Sequence, residues 1–132
     1  MNLRFNLRCI SRCLGTGIAV SLVGHATLAS AADIRWSASD TFAHASTIAP
    51  GKAEEVCGRI EPRLPVEWRF AASGPLSFNI HRHSGSEVIY SVKSYLTREQ
   101  NGSLSPTFNH EWCWMWQNES AEPVTVKLDL KR

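Results

Sequence analysis

The sequence predicts an all-β protein, an antiparallel β-sandwich of about six to eight strands with one disulfide. Three observations support this fold class. Several short segments carry apolar residues at every second position, and turn residues separate these segments at intervals of about 8–12 residues. Once an N-terminal leader is set aside, only two cysteines remain, Cys57 and Cys113.

Residues 1–31 have the pattern of a secretory signal peptide. A start with arginines and no acidic residue precedes a short apolar stretch, and Ala29 and Ala31 supply the small residues of a cleavage site. The apolar stretch is shorter and less apolar than the ~20 residues that a spanning helix needs, so a retained anchor is the less favoured alternative. We therefore expect an exported protein, periplasmic or secreted, in which residues 32–132 form a single domain without a membrane span.

Removal of the leader also changes the charge. The whole chain has 14 basic and 12 acidic residues, and Arg4, Arg8 and Arg12 belong to the leader. The remainder has 11 basic and 12 acidic residues, a net charge of about −1. No cluster of basic residues predicts a nucleic-acid or membrane surface, so we expect a protein or small-ligand partner and no nucleic acid.

In the first part of the domain, the sequence predicts three strands before a Gly-Pro pair. Residues 40–51 and 52–60 form two of them, with a turn at Pro50 and Gly51. Residues 65–73 alternate apolar and polar side chains with a period of two. The Gly74-Pro75 pair is expected to end this third strand.

The next predicted strand assigns side chains to two faces. Leu76, Phe78 and Ile80 alternate with polar residues, and the histidines His81 and His83 follow. Because neighbouring residues of a strand point to opposite faces, we expect the three apolar residues to be buried. On the same argument, His81 and His83 should be more exposed.

The second part of the domain predicts four more strand segments. Residues 87–96 are rich in β-branched and aromatic residues, and the sequence EQNGS is expected to turn the chain after them. Pro106 places the following short segment at a strand end or a sheet edge. The other segments are residues 103–108, 111–118 and 123–130.

The two cysteines of the domain are expected to form a disulfide. Disulfides persist in oxidising compartments, and Cys57 and Cys113 have no other partner in the exported chain. Closing a loop of nearly sixty residues stabilises a fold by roughly 4 kcal/mol in the chain-entropy estimate. The alternative is that one thiol acts as a nucleophile or metal ligand, although no motif that activates a thiol is present.

The segment EWCWMWQN has bulky apolar residues on both faces of a strand. It is either a central strand with its aromatic face covered, or a strand that presents an exposed aromatic patch for binding. A disulfide between core strands is expected to lie on the inner face, which would also place Met115 inward beside Cys113. The outward residues would then be Trp112, Trp114 and Trp116, and we interpret them as a candidate recognition face.

Four segments together resemble the C-terminal half of the GOLD domain, a β-sandwich of secretory-pathway cargo receptors and exported bacterial relatives. They are VEWRF, LSFNIHRHSG, EWCWMWQN and PVTVKLDL, and the resemblance covers residues 53–130. In that family an early cysteine pairs with one just before an aromatic-x-Asn segment, and Cys57, Cys113 and Asn118 stand in matching places. The chain lacks the transmembrane and coiled-coil regions of the receptors, so the resemblance implies a non-catalytic recognition domain and not cargo transport.

The histidines offer an alternative function as a periplasmic transition-metal protein. His81 and His83 form an H-x-H pair, His110 precedes the tryptophan segment, and Met115 could add a soft ligand. Imidazole and thioether groups suit copper or zinc. Solvated or hydrogen-bonded histidines are the more common explanation of such a pattern, so the expectation is a protein without a cofactor, with copper or zinc as the alternative.

The sequence has no motif of an enzyme. It lacks a G-x-S-x-G nucleophile elbow, a glycine-rich phosphate loop and an H-E-x-x-H zinc motif. The sequence therefore favours an exported, non-catalytic β-sandwich that acts as a binding or interaction module.

Overall fold

The structure, a computed structural model, describes residues 30–132 and contains seven strands in them, which confirms the all-β prediction. Residues 30–132 form no helix with the length and hydropathy that crossing a bilayer requires. The predicted leader lies outside the described residues except for its last two, which begin the first strand. The strands are β1 (Ser30–Asp33), β2 (Thr41–Ile48), β3 (Ala53–Ile60), β4 (Val66–Ser84), β5 (Glu87–Leu104), β6 (His110–Gln117) and β7 (Val124–Lys131).

The strands form one mixed sheet that curls into two packed halves. Its order is β1-β3-β6-β4-β7-β2, and β5 pairs with β4 beside this path. The pairs are antiparallel except that β1 runs parallel to β3. Strand β1 was not predicted from the sequence. We call β1, β3, β6 and the part of β4 that pairs with β6 the first half. The second half consists of β2, β7 and the part of β4 that pairs with β7.

Strand β4 joins the two halves because it changes partner along its length. Residues 67–72 pair with β7, whereas residues 77–81 pair with β6. The prediction that Gly74-Pro75 ends the strand is wrong, since β4 continues through both residues. The pair lies where β4 passes from one partner to the other and where its register with β5 shifts, so the missing N–H of proline removes no ladder hydrogen bond there.

Strand β5 is also longer than predicted. The expected turn in EQNGS is absent, because residues 99–103 continue the ladder with β4. Gly102 pairs with Trp68, and a Cβ atom at this glycine would lie 2.7 Å from Cζ2 of the indole. The glycine therefore makes room for a tryptophan ring and does not mark a turn.

The core lies between the inner faces of the two halves. The ring centroids of Phe70, in the second half, and Trp116, in the first half, are 5.6 Å apart. Phe78 packs against both rings, with centroid distances of 4.5 Å to Phe70 and 5.6 Å to Trp116. Leu76, Phe78 and Ile80 are fully buried, which confirms their predicted face.

A buried asparagine fixes the turn between β6 and β7. The Asn118 amide donates hydrogen bonds to the carbonyl oxygens of Ile48 (2.9 Å) and Glu122 (2.8 Å). Its Oδ1 atom accepts from the backbone N–H and the hydroxyl of Ser120. Because Ile48 ends β2, this one side chain ties the β6–β7 turn to a strand of the second half.

Candidate functional site

The three tryptophans of β6 form part of the core, so the predicted recognition face is wrong. Trp114 and Trp116 are 0% exposed and Trp112 is 8% exposed. The error came from the assumption that a disulfide between core strands must lie on their inner face. The bridge joins the neighbouring strands β3 and β6 on their outer face, and the period of two then turns the tryptophans into the core.

Cys57 and Cys113 form the predicted disulfide. They are direct partners in the β3–β6 register, and their Cα atoms are 4.1 Å apart. Met115, two residues further along β6, shares the outer face of the first half with Cys113. The prediction that this face points into the core is wrong, but the pairing itself is confirmed.

The outer face of the first half carries a compact polar cluster, which we call the cystine cluster. Its members are Glu55, Cys57, Asn79, His81 and Cys113. The register places Cys57, Cys113 and His81 in one row across three strands. Glu55 lies two residues before Cys57, and Asn79 two residues before His81, so both side chains point to this same face.

His81 is the buried centre of this cluster, with 3% of its surface exposed. Its Nδ1–H donates a 2.8 Å hydrogen bond to Oδ1 of Asn79. Its Nε2 atom is 3.7 Å from Oε1 of Glu55. The prediction that His81 is exposed is wrong, because Asn79, Glu55 and the cystine surround it on a face that was expected to be open. His83 is exposed, as predicted.

Burial lowers the pKa of His81 below its usual value near 6.5, and the carboxylate of Glu55 and the neighbouring His83 modify the shift in opposite directions. Glu55 favours the charged imidazolium, while His83 disfavours it. The loss of hydration outweighs the attraction of Glu55. His81 is therefore neutral at pH 7, and a neutral imidazole with a protonated Nδ1 leaves a lone pair on Nε2.

The predicted metal set of His81, His83, His110 and Met115 is not brought together. The rings of His81 and His83 are 5.1 Å apart, but His110 shares the opposite face of β6 with Trp112. The His110 Nδ1–H donates to the carbonyl oxygen of Glu111. Within residues 30–132, the group whose potential ligand atoms converge is Glu55, His81 and Cys113.

A second polar group links β2, in the second half, to β3, in the first half. His44 and Ser46 on β2 both hydrogen-bond the carboxylate of the buried Glu54 on β3. No motif in the sequence indicates this group. A histidine, a serine and an acid meet here, but the structure shows the serine and the histidine each bonded to the carboxylate and not to each other.

A shallow groove of about 500 Å³ lies at the second half. Arg69, Asp129 and Lys131 are among its lining residues. The Arg69 Nε–H donates a 3.0 Å hydrogen bond to Asp129 Oδ2, and both side chains are largely exposed. Because its charges have both signs and partly pair with each other, the groove favours neither an anion nor a cation.

Strand β5 carries most of the exposed large apolar side chains of residues 30–132. Four of the six are on this strand: Val88, Tyr90, Tyr95 and Leu96, with exposed fractions of 43, 47, 38 and 62%. The other two are Leu64 and Phe108. In the described part of the chain, β5 pairs only with β4, so its other edge has unpaired backbone groups. The sequence predicted a strand here but gave no sign that its apolar residues are exposed.

Fold and site together define a small all-β domain with a disulfide and an apolar edge strand. No protein-family model matches the chain, and no curated protein sequence matches it. The pre-peptidase C-terminal domain of collagenase from Bacillus anthracis is similar in structure, with a TM-score of 0.54 and 10% identity, over 79% of this chain and 97% of that domain.

PliG from Aeromonas hydrophila, a periplasmic inhibitor of g-type lysozyme, is also similar, with a TM-score of 0.53 and 9% identity. This likeness covers 77% of this chain and 95% of PliG. At such low identities both likenesses show the fold alone.

Proposed function

We propose that this protein is an exported, non-catalytic module that binds another protein through strand β5. The observation that carries the proposal is the concentration of exposed Val88, Tyr90, Tyr95 and Leu96 on one edge strand. Tyrosine is enriched in protein interfaces, and exposed aliphatic side chains beside it gain from being buried there. A free strand edge adds backbone donors and acceptors for an incoming strand or loop.

A protein partner also agrees with one of the structural likenesses. PliG has the same type of fold and inhibits a g-type lysozyme. We therefore take a g-type lysozyme as the first partner to test. The resemblance to GOLD domains belongs to the same proposal, since it too implies recognition by a sandwich without catalysis.

Two further features favour this proposal over an enzymatic function and over a cytoplasmic location. Ser46 donates its hydrogen bond to Glu54, so its hydroxyl is not positioned against His44 as a nucleophile against its base. The leader pattern of residues 1–31 and the disulfide both agree with export. Sequencing of the mature N-terminus tests export directly, and the expected first residue is Ala32.

The interface is tested with a photo-crosslinking amino acid at position 96, expressed in the source cells. We expect one discrete crosslinked protein from position 96 and none from position 64, where Leu64 is also exposed but lies between β3 and β4. Equal labelling from both positions, or none from either, would contradict the assignment of the interface to β5.

A purified g-type lysozyme provides the second measurement. If lysozyme is the partner, calorimetry detects a complex, residual lysozyme activity falls, and Leu96→Lys weakens both effects at least tenfold. Leu64→Lys is the matched control and should change neither. A lack of binding by the wild-type protein would exclude this lysozyme while leaving the crosslinking result to identify the true partner.

A further inference from the structure

We propose that Glu55, Cys57, His81 and Cys113 bind a zinc ion when the disulfide between the two cysteines is reduced. This site differs from the set of three histidines and a methionine that the sequence suggested. Its ligands lie on β3, β4 and β6, whereas partner binding is assigned to β5, whose Tyr90 is paired with His81 at a ring-centroid distance of 6.0 Å. Zinc binding and partner binding are measured separately, so either assignment can fail without the other.

The potential ligand atoms already converge. A carboxylate oxygen of Glu55, a ring nitrogen of His81 and the sulfur of Cys113 lie within 4.8 Å of one another. Cys57 is bonded to Cys113 and brings a second sulfur to the same place. Tetrahedral zinc with these ligands needs atoms about 3.3–3.8 Å apart, so small side-chain rotations would complete the site.

The strands hold these residues in fixed positions. Cys57, Cys113 and His81 occupy neighbouring places across β3, β6 and β4, so backbone hydrogen bonds set their spacing. Glu55 lies on the same face of β3, and its Oε2 atom is 4.0 Å from the sulfur of Cys57. Two thiolates, one imidazole and one carboxylate form a ligand set that suits zinc.

The orientation of His81 is the second observation that points to a cation. Its Nδ1–H is occupied by Asn79, so its Nε2 lone pair faces the Glu55 carboxylate at 3.7 Å. Two hydrogen-bond acceptors that face each other are stabilised by a positive charge between them. A histidine that binds zinc usually donates its other ring N–H to a carboxylate, a backbone carbonyl or water, and Asn79 Oδ1 supplies a comparable oxygen acceptor here.

The redox state controls the number of ligands. In the oxidised protein each sulfur shares its bonding electrons with the other, and only His81 and Glu55 offer strong donors. A dithiol reductant breaks the Sγ–Sγ bond by supplying two electrons and two protons and itself becomes a disulfide. Zinc then binds both cysteines as thiolates and releases their two protons to solvent.

Cobalt(II) serves as the spectroscopic probe for this site, because thiolate ligands give it an intense charge-transfer band. The reduced exported protein, which lacks the leader and its cysteines Cys9 and Cys13, should bind one equivalent of cobalt with this band, and zinc should displace it. The oxidised protein should show no such band and should bind zinc at least ~100-fold more weakly, since it lacks both thiolates. Equal zinc affinity in the two redox states would overturn the proposal.

Matched variants separate this site from other histidines. Glu55→Gln and His81→Gln should each weaken zinc binding by the reduced protein ~10-fold or more, whereas His110→Gln should leave it unchanged. Loss of binding in His110→Gln, or none in His81→Gln, would contradict the assignment. Near-ultraviolet circular dichroism of the tryptophans follows folding: reduced protein that zinc restores to the oxidised spectrum supports the site, and reduced protein that stays unfolded with zinc rules it out.

Discussion

Strand β4 has two parts whose inner faces are alike and whose outer faces differ. In residues 66–71 the inner side chains are buried and the outer ones, such as Arg69, are exposed. In residues 76–81 the inner side chains are again buried, but Asn79 and His81 on the outer face are buried as well. The same apolar period therefore builds a solvated surface in one half of the sheet and an enclosed polar cluster in the other.

The second part of β4 departs from the simplest sandwich. A sandwich needs one buried face for each sheet, and the first part of β4 buries only that face. The second part buries polar groups beside the disulfide, and buried polar groups require partners. Asn79 and His81 partner each other, which distinguishes a built cluster from an accidental polar patch.

The largest effect should come from the inner face that both parts share. Trp114→Ala should lower the free energy of unfolding by about 3–5 kcal/mol, because the indole is fully buried in the core. Urea titration followed by circular dichroism measures this loss. Trp114→Phe is the control and should lose less, since it keeps an aromatic ring and removes a buried indole N–H for which residues 30–132 supply no acceptor. Wild-type stability in Trp114→Ala would show that the tryptophans are not core.

Removal of the bridge tests the outer face of the first half alone. The double change Cys57→Ala and Cys113→Ala should lower the free energy of unfolding by about 2–4 kcal/mol, because the open chain gains entropy. The measurement is the same urea titration under oxidising conditions. Wild-type protein in a strong reductant without metal should approach the same value, and a reductant that has no effect would argue against the bridge.

The two outer faces of β4 are compared directly by Asn79→Ala and Arg69→Ala. The first change leaves the buried Nδ1–H of His81 without its acceptor and should lower the free energy of unfolding by about 1–3 kcal/mol. The second breaks an exposed pair with Asp129 and should cost less than about 1 kcal/mol. Equal losses would remove the distinction between the two parts of β4.

The smallest effect is a pH dependence carried by His81. Because its pKa is lowered in the folded protein, the unfolded chain binds more protons below pH 6.5, so stability should fall as pH decreases from 6.5 toward the folded pKa. Glu55, His83 and Tyr90 are the titratable groups that face or adjoin the ring. Urea titrations of the oxidised protein with a chelator, between pH 7.5 and 5, measure the slope, and His81→Gln should reduce it. A variant with the wild-type slope would assign the effect to another group.

Local alternation allowed part of this structure to be predicted from the sequence. Leu76, Phe78 and Ile80 are buried as expected, because the alternation of apolar and polar residues along the strand was enough to assign their face. The disulfide followed from the cysteines left after the leader. The strand pattern indicated all-β structure without any knowledge of the strand order.

The remaining features depend on which strands are neighbours. Trp114 and Cys113 lie on opposite faces of a strand that is apolar on both. The predicted pairing of Cys57 with Cys113 did not decide which face is inner, because that depends on which face of β3 and β6 packs against the second half. Glu55 and Asn79 were missed because only the register of β3, β6 and β4 brings them beside His81. The continuation of β4 through Pro75 depends on its change of partner, which no local pattern reveals.

The burial of Asn118 has a consequence for production of this protein in eukaryotic cells. Asn118-Glu119-Ser120 and Asn101-Gly102-Ser103 are both acceptor sequences for N-linked glycans. Asn101 is exposed on β5, whereas the amide nitrogen of Asn118 is committed to two carbonyl oxygens in a fully buried position. A sugar attached to Asn118 before folding would prevent the turn between β6 and β7 from closing, so secretion from such a host should depend on whether folding precedes glycan transfer.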